Sequence, residues 1–133
     1  NFGADELQRL ADETGELPVV NQVESHPWLP QHALRAFHAE HGIVTQAWSP
    51  LGRGRLLADP TIVAIAAEVG ATPAQVVLRW HLQLGGAAVA KSLRAERLAE
   101  NLAVIPPLPD EALARIAALE SGERTGTAPE DRP

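Results

Sequence analysis

The stretch Ile43-Val44-Thr45-Gln46-Ala47-Trp48-Ser49-Pro50-Leu51-Gly52 decides the fold class of this chain. Its first half is an apolar run typical of a buried strand. Its second half places an aromatic ring, a hydroxyl group and a Pro/Gly loop at the end of that strand. The pattern recurs where Pro18-Val19-Val20 leads into Asn21-Gln22-Val23-Glu24, and where Ala87-Ala88-Val89-Ala90 leads into Lys91-Ser92. Parallel α/β proteins carry their functional groups at the carboxyl ends of strands, so the three stretches predict such a sheet.

Helices are predicted around these strands by the spacing of apolar residues and by terminal signals such as the Thr72-Pro73-x-Gln75 capping box. The strands are expected at residues 19–23, 43–47 and 87–91. The helices are expected at residues 5–14, 30–41, 60–69, 73–84, 94–101 and 108–119. Strands that alternate with helices imply right-handed βαβ units and a parallel sheet.

The length of the chain indicates only part of a barrel. Three strands cannot close a barrel, and a (β/α)8 barrel needs about 250 residues, whereas this chain has 133. We therefore expect an α/β fold that forms the C-terminal part of a (β/α)8 TIM barrel, with about three to four βα units, in a domain of residues 1–120. The Gly, Thr, Pro and charged residues from Ser121 onward predict a mobile C-terminal tail, residues 121–133.

Composition excludes several classes of function. The net charge is −6 with no basic block, which argues against a nucleic-acid partner. The absence of cysteine excludes disulfides and thiolate metal sites. The apolar runs are far shorter than the roughly 20 residues of a membrane span, so we expect no membrane partner and a soluble, cytoplasmic protein. The chain also lacks methionine, so residue 1 is not a translation start and the chain is expected to begin within the fold.

The ends of the first two strands carry candidate binding groups. Asn21 and Gln22 are either a satisfied polar pair in a barrel mouth or amides that bind a planar carboxamide. Glu24 is equally a structural carboxylate that orders nearby backbone. Trp48 is either a core residue or a flat platform for an aromatic ligand. The loop Gly52-Arg53-Gly54-Arg55 is a weak phosphate signal on its own.

The end of the third strand predicts an anion site. Lys91 ends the strand, Ser92 can cap the following helix, and Arg94 and Arg97 lie at helical spacing with Glu100 and Asn101. A helix N-terminus beside lysine and arginine attracts anions. The alternative is a solvated charged face with an Arg97–Glu100 pair. The five histidines show no metal-binding pattern, and His38 and His41 are expected to form a solvated surface pair.

An ordered series of motifs resembles the aldo-keto reductases, most closely the bacterial branch that includes 2,5-diketo-D-gluconate reductases. The series covers residues 1 to about 120 with family-like spacing. Its members are Asn1-Phe2-Gly3, Val20-Asn21-Gln22-Val23-Glu24 with His26-Pro27, Ala47-Trp48-Ser49-Pro50-Leu51-Gly52, Thr72-Pro73-Ala74-Gln75 with Leu78-Arg79-Trp80, Ala90-Lys91-Ser92, and Glu96-Arg97-Leu98-Ala99-Glu100-Asn101.

The resemblance implies an NADPH-dependent oxidoreductase that reduces small-molecule aldehydes or ketones. It also assigns cofactor contacts to residues of this chain. The nicotinamide carboxamide would be held by Asn1 and Gln22, and the nicotinamide ring would stack on Trp48. The pyrophosphate would lie along Ser49, Leu51 and Gly52. The 2′-phosphate would be bound by Lys91, Ser92, Arg94 and Arg97, and adenine would be contacted by Glu100 and Asn101.

The family's catalytic Asp, Tyr, Lys and His belong to the first half of the barrel. The resemblance therefore assigns no catalytic residue and no metal ligand here, and Lys91 is a cofactor residue. The chain alone is expected to be inactive. The intact enzyme, expected to be a monomer, would require the N-terminal half of the barrel. Two alternatives stay open: a non-catalytic nucleotide-binding or redox-sensing module on the same fold, and a sugar-phosphate barrel that uses Lys91 and Arg97.

Overall fold

Three parallel strands and six helices make up the described part of the computed structural model, which comprises residues 1–103 and 105–131. The order is α1 (Ala4–Thr14), β1 (Val20–Glu24), α2 (His32–Glu40), β2 (Val44–Trp48), α3 (Pro60–Val69), α4 (Pro73–Gln83), β3 (Ala87–Ala88), α5 (Ala95–Leu102) and α6 (Asp110–Ala117). Short 3₁₀ turns lie at Gly52–Ala58 and Pro129–Asp131.

The sheet has the order β1-β2-β3, and both neighbouring pairs are parallel. The register runs from Val20 opposite Val44 to Glu24 opposite Trp48, so the two strands end side by side. Alternate residues lie under the helices, while Val20 and Val44 on the other face are 42% and 44% exposed. Within the described residues the helices therefore cover one face of the sheet and leave the other open.

The third strand is shorter than the sequence predicts. The expected strand 87–91 pairs with β2 only at Ala87 and Ala88, and one further hydrogen bond joins the Val89 amide to the Ala47 carbonyl at 3.0 Å. The prediction is wrong beyond that point because β2 ends at Trp48, and Ser49 turns the chain away with a φ of 49°. Residues after Val89 then face no β2 backbone to pair with.

Helices α3 and α4 begin where local sequence signals place them. Thr72 Oγ1 accepts a hydrogen bond from the Gln75 amide, and Gln75 Oε1 accepts one from the Thr72 amide, which completes the predicted capping box. Asp59 caps α3, because its side chain accepts hydrogen bonds from the Thr61 and Ile62 amides. The helix expected at 30–41 starts later, because Gln31 has a left-handed φ of 61°.

The main core lies between α3, α4, α6 and the Gly52–Ala58 turn, on the helical side of the sheet. Trp80 on α4 is 4% exposed and belongs to this core, as its place on an apolar helix face predicts. The full cluster of buried side chains is Leu56, Ile62, Ile65, Ala66, Val76, Val77, Trp80, Leu108, Ala112 and Ile116. Its packing fixes the start of α4 and the loop after β2 relative to each other.

The segment after α6 packs against the body of the fold, and the mobility expected from its composition stays a prediction. The amides of Ser121 and Gly122 both donate to the Trp28 carbonyl, at 3.1 and 2.9 Å. Thr125 and Gly126 bond the carboxylate of Glu24. These contacts join the segment to Trp28 and to the end of β1. Arg132 and Pro133 lie outside the described residues.

No single helix of the described chain is long and apolar enough to cross a membrane. Only α3 and α4 taken together reach that length and composition, and they are bent by 89° at the break between them.

Candidate functional site

Three of the predicted binding residues meet at the ends of β1 and β2. Trp48 Nε1 donates to Asn1 Oδ1 at 2.7 Å, and the Asn1 backbone nitrogen donates to the Gln22 carbonyl at 2.8 Å. Gln22 lies opposite Gln46 in the register, and its Nε2 donates to Gln46 Oε1 at 2.6 Å. The structure thus gathers amide groups around the indole on the open face of the sheet. The pairing with Gln46 carries no signal within the local sequence.

A buried polar network supports this cluster from the helical side. Asn21 Nδ2 donates to the Phe2 carbonyl at 2.7 Å and lies 3.0 Å from His38 Nε2. His38 Nδ1 lies 2.8 Å from Thr45 Oγ1. Because the Asn21 amide is a donor, His38 Nε2 must accept, so the imidazole is neutral and carries its proton on Nδ1. Burial and the nearby charge of Arg35 lower the pKa of His38, in agreement with that form.

His38 therefore corrects a sequence expectation. It is 1% exposed and buried against β2, whereas the spacing predicts a solvated pair with His41. His41 does stay at the surface, where its ring stacks on Phe37. His38 is the buried histidine because it lies on the side of α2 that faces the sheet, where Thr45 and Asn21 can hydrogen-bond to its ring. The side-chain amide of Asn21 is likewise hydrogen-bonded within the fold, as the interpretation of Asn21 as a satisfied polar residue requires.

The loop after β2 has an unusual backbone. Ser49 and Arg53 have left-handed φ values of 49° and 54°, a region that residues other than glycine rarely occupy. Gly52 is also left-handed, and a Cβ there would lie 3.0 Å from Leu56 and 3.1 Å from Trp28. Close packing as well as φ therefore requires glycine at position 52. This tight turn brings Leu51 from the sheet edge to the wall of the neighbouring cavity.

That cavity, which we call the β3–α5 cavity, collects most of the remaining predicted residues. It has a volume of about 230 Å³. Its walls come from the loop after β2, the start of α4, the segment after β3 and one side of α5. The lining residues are Leu51, Leu57, Thr72, Pro73, Ala74, Lys91, Ser92, Arg97, Glu100 and Asn101.

The electrostatics of the β3–α5 cavity favour an anion despite the negative charge of the chain. Lys91 and Arg97 both line it, and so does the first turn of α4, where the helix dipole contributes partial positive charge. The sequence identified Thr72 only as a helix cap, and its position in the cavity wall follows from the packing of α4 against α5. Glu100 is the acidic member of the lining.

Glu100 has a structural partner. Thr72 Oγ1 donates to Glu100 Oε1 at 2.6 Å, and Gln75 Nε2 donates to the Glu100 carbonyl at 3.3 Å. No ion pair joins Glu100 to Arg97 in the described chain, so the alternative of an Arg97–Glu100 pair is wrong. The Thr72 and Gln75 contacts instead tie α5 to the start of α4.

Two expectations about the start of α5 also change. Arg94 is the N-cap residue and is exposed, and it does not line the β3–α5 cavity. Ser92 does not cap α5: its Oγ accepts from the amide of Arg94 at 3.1 Å, and Arg94 itself is the N-cap residue. The helix starts at Ala95, so the Ser92 hydroxyl orders the approach to the helix and stays within the cavity lining.

Glu24 shows the structural role that its sequence position left open. Its side chain is completely buried and accepts from the Thr125 amide and hydroxyl, both at 2.6 Å. Burial raises the pKa of Glu24, but the hydrogen bonds from Thr125, His26 and Gly126 outweigh it and lower the pKa below its ordinary value. No sequence signal relates Glu24 to a partner 101 positions away.

Two other histidines are buried and neutral. Burial lowers the pKa of His81 to about 3, and its only hydrogen bond among the described residues is a long one of 3.4 Å to the Pro50 carbonyl. Burial also lowers the pKa of His26, whose Nε2 donates to Glu24. Among the described residues, no group of three or more histidine or acidic side chains is placed to hold a metal ion.

A larger crevice of about 440 Å³ lies on the other side of β1. Of the predicted binding residues it includes Asn1 alone. Its charged lining consists of Glu6, Glu24 and Arg124, and Arg124 faces Glu24 at 3.7 Å. Two carboxylates against one guanidinium give this lining a net negative charge, which repels a phosphate group. The crevice is therefore less suited to an anionic ligand than the β3–α5 cavity.

Comparison with known proteins points to one family. Residues 1–121 match the family model described as the Aldo/keto reductase family. The chain is 52% identical over 130 residues to an aldo-keto reductase of Mycolicibacterium smegmatis, which covers 97% of the chain and 47% of that protein. It is 49% identical over 124 residues to the 2,5-diketo-D-gluconic acid reductase B of a Corynebacterium species, covering 92% of the chain and 45% of that protein.

Solved structures agree with this similarity. A crystal structure of a Gox0644 mutant in complex with NADPH aligns with a TM-score of 0.95 at 45% identity, over 100% of this chain and 50% of that one. An aldo-keto reductase complexed with NADPH, AKR2E5, aligns with a TM-score of 0.88 at 30% identity, over 95% and 42%. The chain thus spans about half the length of the relatives it matches. The prediction of a partial (β/α)8 barrel is confirmed.

Proposed function

Because the chain belongs to the aldo/keto reductase family, whose members are oxidoreductases, we propose that it is the cofactor-binding part of an NADPH-dependent carbonyl reductase. In this proposal, residues 1–120 form the C-terminal portion of the barrel and residues 121–133 its tail. The observation that carries the proposal is the course of the loop after β2, which leads from Trp48 at the strand end to Leu51 in the lining of the β3–α5 cavity, a cavity that Lys91 and Arg97 also line. Similar proteins crystallised with NADPH support the choice of cofactor.

The residues present fit the chemistry of a phosphorylated dinucleotide. Lys91 and Arg97 line a cavity of about 230 Å³ together with Ser92 and the first turn of α4. Charge-assisted hydrogen bonds from such groups are the strong ones for phosphate. Asn101 and Glu100 add a polar wall that can recognise adenine, and Glu100 is already oriented by Thr72.

The strand-end side of this loop, at Trp48, fits a flat carboxamide-bearing ring. The Trp48 indole lies on the open face of the sheet and is oriented by Asn1 Oδ1 at 2.7 Å. Gln22 lies on the same face, with its amide bonded to Gln46. In the proposal, Asn1 and Gln22 bind the carboxamide and Trp48 provides the stacking surface, while Ser49 and Gly52 shape the turn along the pyrophosphate.

Arg94 takes a lesser role than its position in the motif suggests. It is exposed at the N-cap of α5 and lies outside the cavity lining. We propose that it approaches the 2′-phosphate from solvent, whereas Arg97 contacts it from within the cavity. Solvent screening makes such an exposed contact weak.

Bound NADPH would supply the hydride for reduction of an aldehyde or ketone. The chain contains no tyrosine, so we assign the proton donor and the rest of the catalytic group to sequence outside these residues. The open face of the sheet supports this assignment, because parallel sheets are normally covered on both faces. We further propose that the intact enzyme is a monomer and acts on a small-molecule carbonyl compound.

The test is NADPH oxidation by the full-length protein with a reactive aromatic aldehyde, followed at the absorbance of the reduced cofactor. Turnover that depends on both NADPH and aldehyde supports the proposal. Tight NADPH binding without reduction of any aldehyde or ketone would instead favour a non-catalytic nucleotide-binding or redox-sensing module. Failure to bind NADPH would contradict both.

A further inference from the structure

The carboxylate of Glu24 is an anchor for the segment Arg124–Gly126, which we call the return segment. Four donor groups converge on its Oε1: the Thr125 amide and hydroxyl at 2.6 Å each, the Gly126 amide at 3.1 Å and His26 Nε2 at 3.1 Å. Arg124 lies 3.7 Å from the other oxygen. A buried carboxylate is costly unless it is paired in this way, so the return segment and Glu24 stabilise each other's positions.

The return segment ends against the edge of the Trp48 indole. A Cβ on Gly126 would lie 2.5 Å from Trp48 Cη2 and 2.8 Å from Trp48 Cζ3, distances too short for any side chain. Only glycine allows this approach. The opposite, pyrrole edge of the indole is fixed by the hydrogen bond from Nε1 to Asn1, so contacts on two sides hold the plane of the ring.

The register of the sheet explains why the anchor and the ring act together. Glu24 and Trp48 are opposite residues on neighbouring parallel strands. A segment bonded to Glu24 is therefore brought to Trp48 with no intervening element. The side chain of Arg53, in the loop after β2, also lies within 3.4 Å of the Cβ position of Gly126.

We propose that Glu24 and Thr125 are positioning residues that hold Gly126 against Trp48 and thereby set the plane of the indole. The consequence for NADPH rests on the proposed function: a fixed indole presents a preorganised surface to the nicotinamide. Loss of the anchor leaves the Asn1 contact as the remaining polar restraint on the ring. The ring then samples other orientations before a ligand binds.

The experiment uses the full-length protein without ligand and follows tryptophan fluorescence and its quenching by acrylamide. Thr125→Val removes the hydroxyl donor with little change of volume, and Thr125→Ser restores it. Gly126→Ala disturbs the contact while keeping the two Thr125 donors to Glu24. Thr127→Val is the matched control, because Thr127 is exposed and lies two residues further along. Each variant is also made with Trp48→Tyr, which removes the reporting ring.

We expect Thr125→Val and Gly126→Ala to red-shift the emission and increase quenching, and Thr125→Ser and Thr127→Val to match the parent. The shift should disappear in the Trp48→Tyr background, because the indole that contacts Gly126 is then absent. Unchanged emission and quenching in both Thr125→Val and Gly126→Ala would overturn the proposal, as would a shift that persists without Trp48.

A second measurement separates this inference from the proposed function. In Thr125→Val the Kd for NADPH should rise about three- to tenfold, part of the loss expected when a stacked ring is removed entirely, and kcat should change less than the KM for NADPH. A ring signal that shifts while the Kd for NADPH stays the same would support the positioning role and contradict the assignment of Trp48 to the nicotinamide.

Discussion

Replacement of Arg97 by alanine in the full-length protein should distinguish NADPH from NADH. Arg97 lines the β3–α5 cavity beside Lys91 and Ser92, and it is exposed at its outer side. Its hydrogen-bonding partners in the described chain do not include Glu100, whose carboxylate is bonded to Thr72. The guanidinium is therefore available to a phosphate, and NADH lacks the 2′-phosphate that we expect it to contact.

The size of the effect follows from the type of contact. A hydrogen bond to a charged group contributes about 1.5–3 kcal/mol, which corresponds to roughly a ten- to hundredfold change in Kd. Because Arg97 is solvent-exposed, screening places the expected loss in the lower half of that range. Raising the ionic strength should shrink the difference between parent and variant, since exposed charges are screened within about 10 Å at 0.1 M salt.

The assay is a titration of parent and variant with each cofactor at two salt concentrations. Arg97→Lys keeps the charge but loses the planar fork, so it should bind NADPH with intermediate affinity. Arg9→Ala is the matched control, because Arg9 is an exposed arginine on α1 that pairs with Glu13 at 2.7 Å. It removes the same formal charge far from the cavity and should leave both affinities unchanged.

Equal losses for NADPH and NADH in Arg97→Ala would refute the reasoning, because they would show that Arg97 does not contact the 2′-phosphate. A loss of the same size in Arg9→Ala would show that only the overall charge matters.

Four further predictions concern other parts of the chain. Trp48→Ala should weaken NADPH binding by about 1–3 kcal/mol and abolish most of the fluorescence quenching on titration, whereas Trp48→Tyr should preserve binding. If Trp48→Ala keeps the parent's NADPH affinity and its fluorescence quenching, Trp48 is a packing residue. Asn21→Leu should lower the free energy of unfolding by about 1–3 kcal/mol in urea titrations, because the Phe2 carbonyl and His38 lose their partner, and the exposed Gln8→Leu should cost much less. His81 has a pKa of about 3 in the fold and about 6.5 when unfolded, so it binds a proton in the unfolded chain first. As pH falls below about 6.5, this lowers the equilibrium constant for folding about tenfold per pH unit. Identical slopes of stability against pH for the parent and His81→Leu between pH 7 and 5 would contradict this. A protein of residues 1–133 alone should be inactive toward aldehydes and poorly folded or self-associated, because one face of its sheet is open; a monomeric, cooperatively melting, active chain would refute that.

Sequence reasoning identified the family and the order of the elements, and the family model over residues 1–121 confirms the former. The reason for this success is that each motif combines a local signal with chain order. The Thr72 capping box depends on contacts within three residues, so it survives in any fold that contains the helix. The cofactor contacts of the individual residues stay predictions that the titrations above can test.

The errors lie where a local pattern allows two outcomes. His38 and His41 share one helix face, and the pattern does not say which of them reaches the sheet. Ser92 precedes a helix at a plausible distance, yet the helix begins at Ala95. The apolar run that predicts the third strand extends to Ala90, but it pairs only as far as β2 provides a partner.

The sequence by itself determined which segments are helices and strands, where α3 and α4 begin, and the ordered motifs that mark the family. The helix starts depend on interactions between residues a few positions apart, so the local sequence specifies them without reference to distant segments. Only the tertiary structure decided that Glu24 bonds Thr125, 101 positions away, and that Gly126 contacts the ring of Trp48. Such contacts require buried groups from distant segments to satisfy each other, and burial of this kind exists only after the sheet and helices have packed.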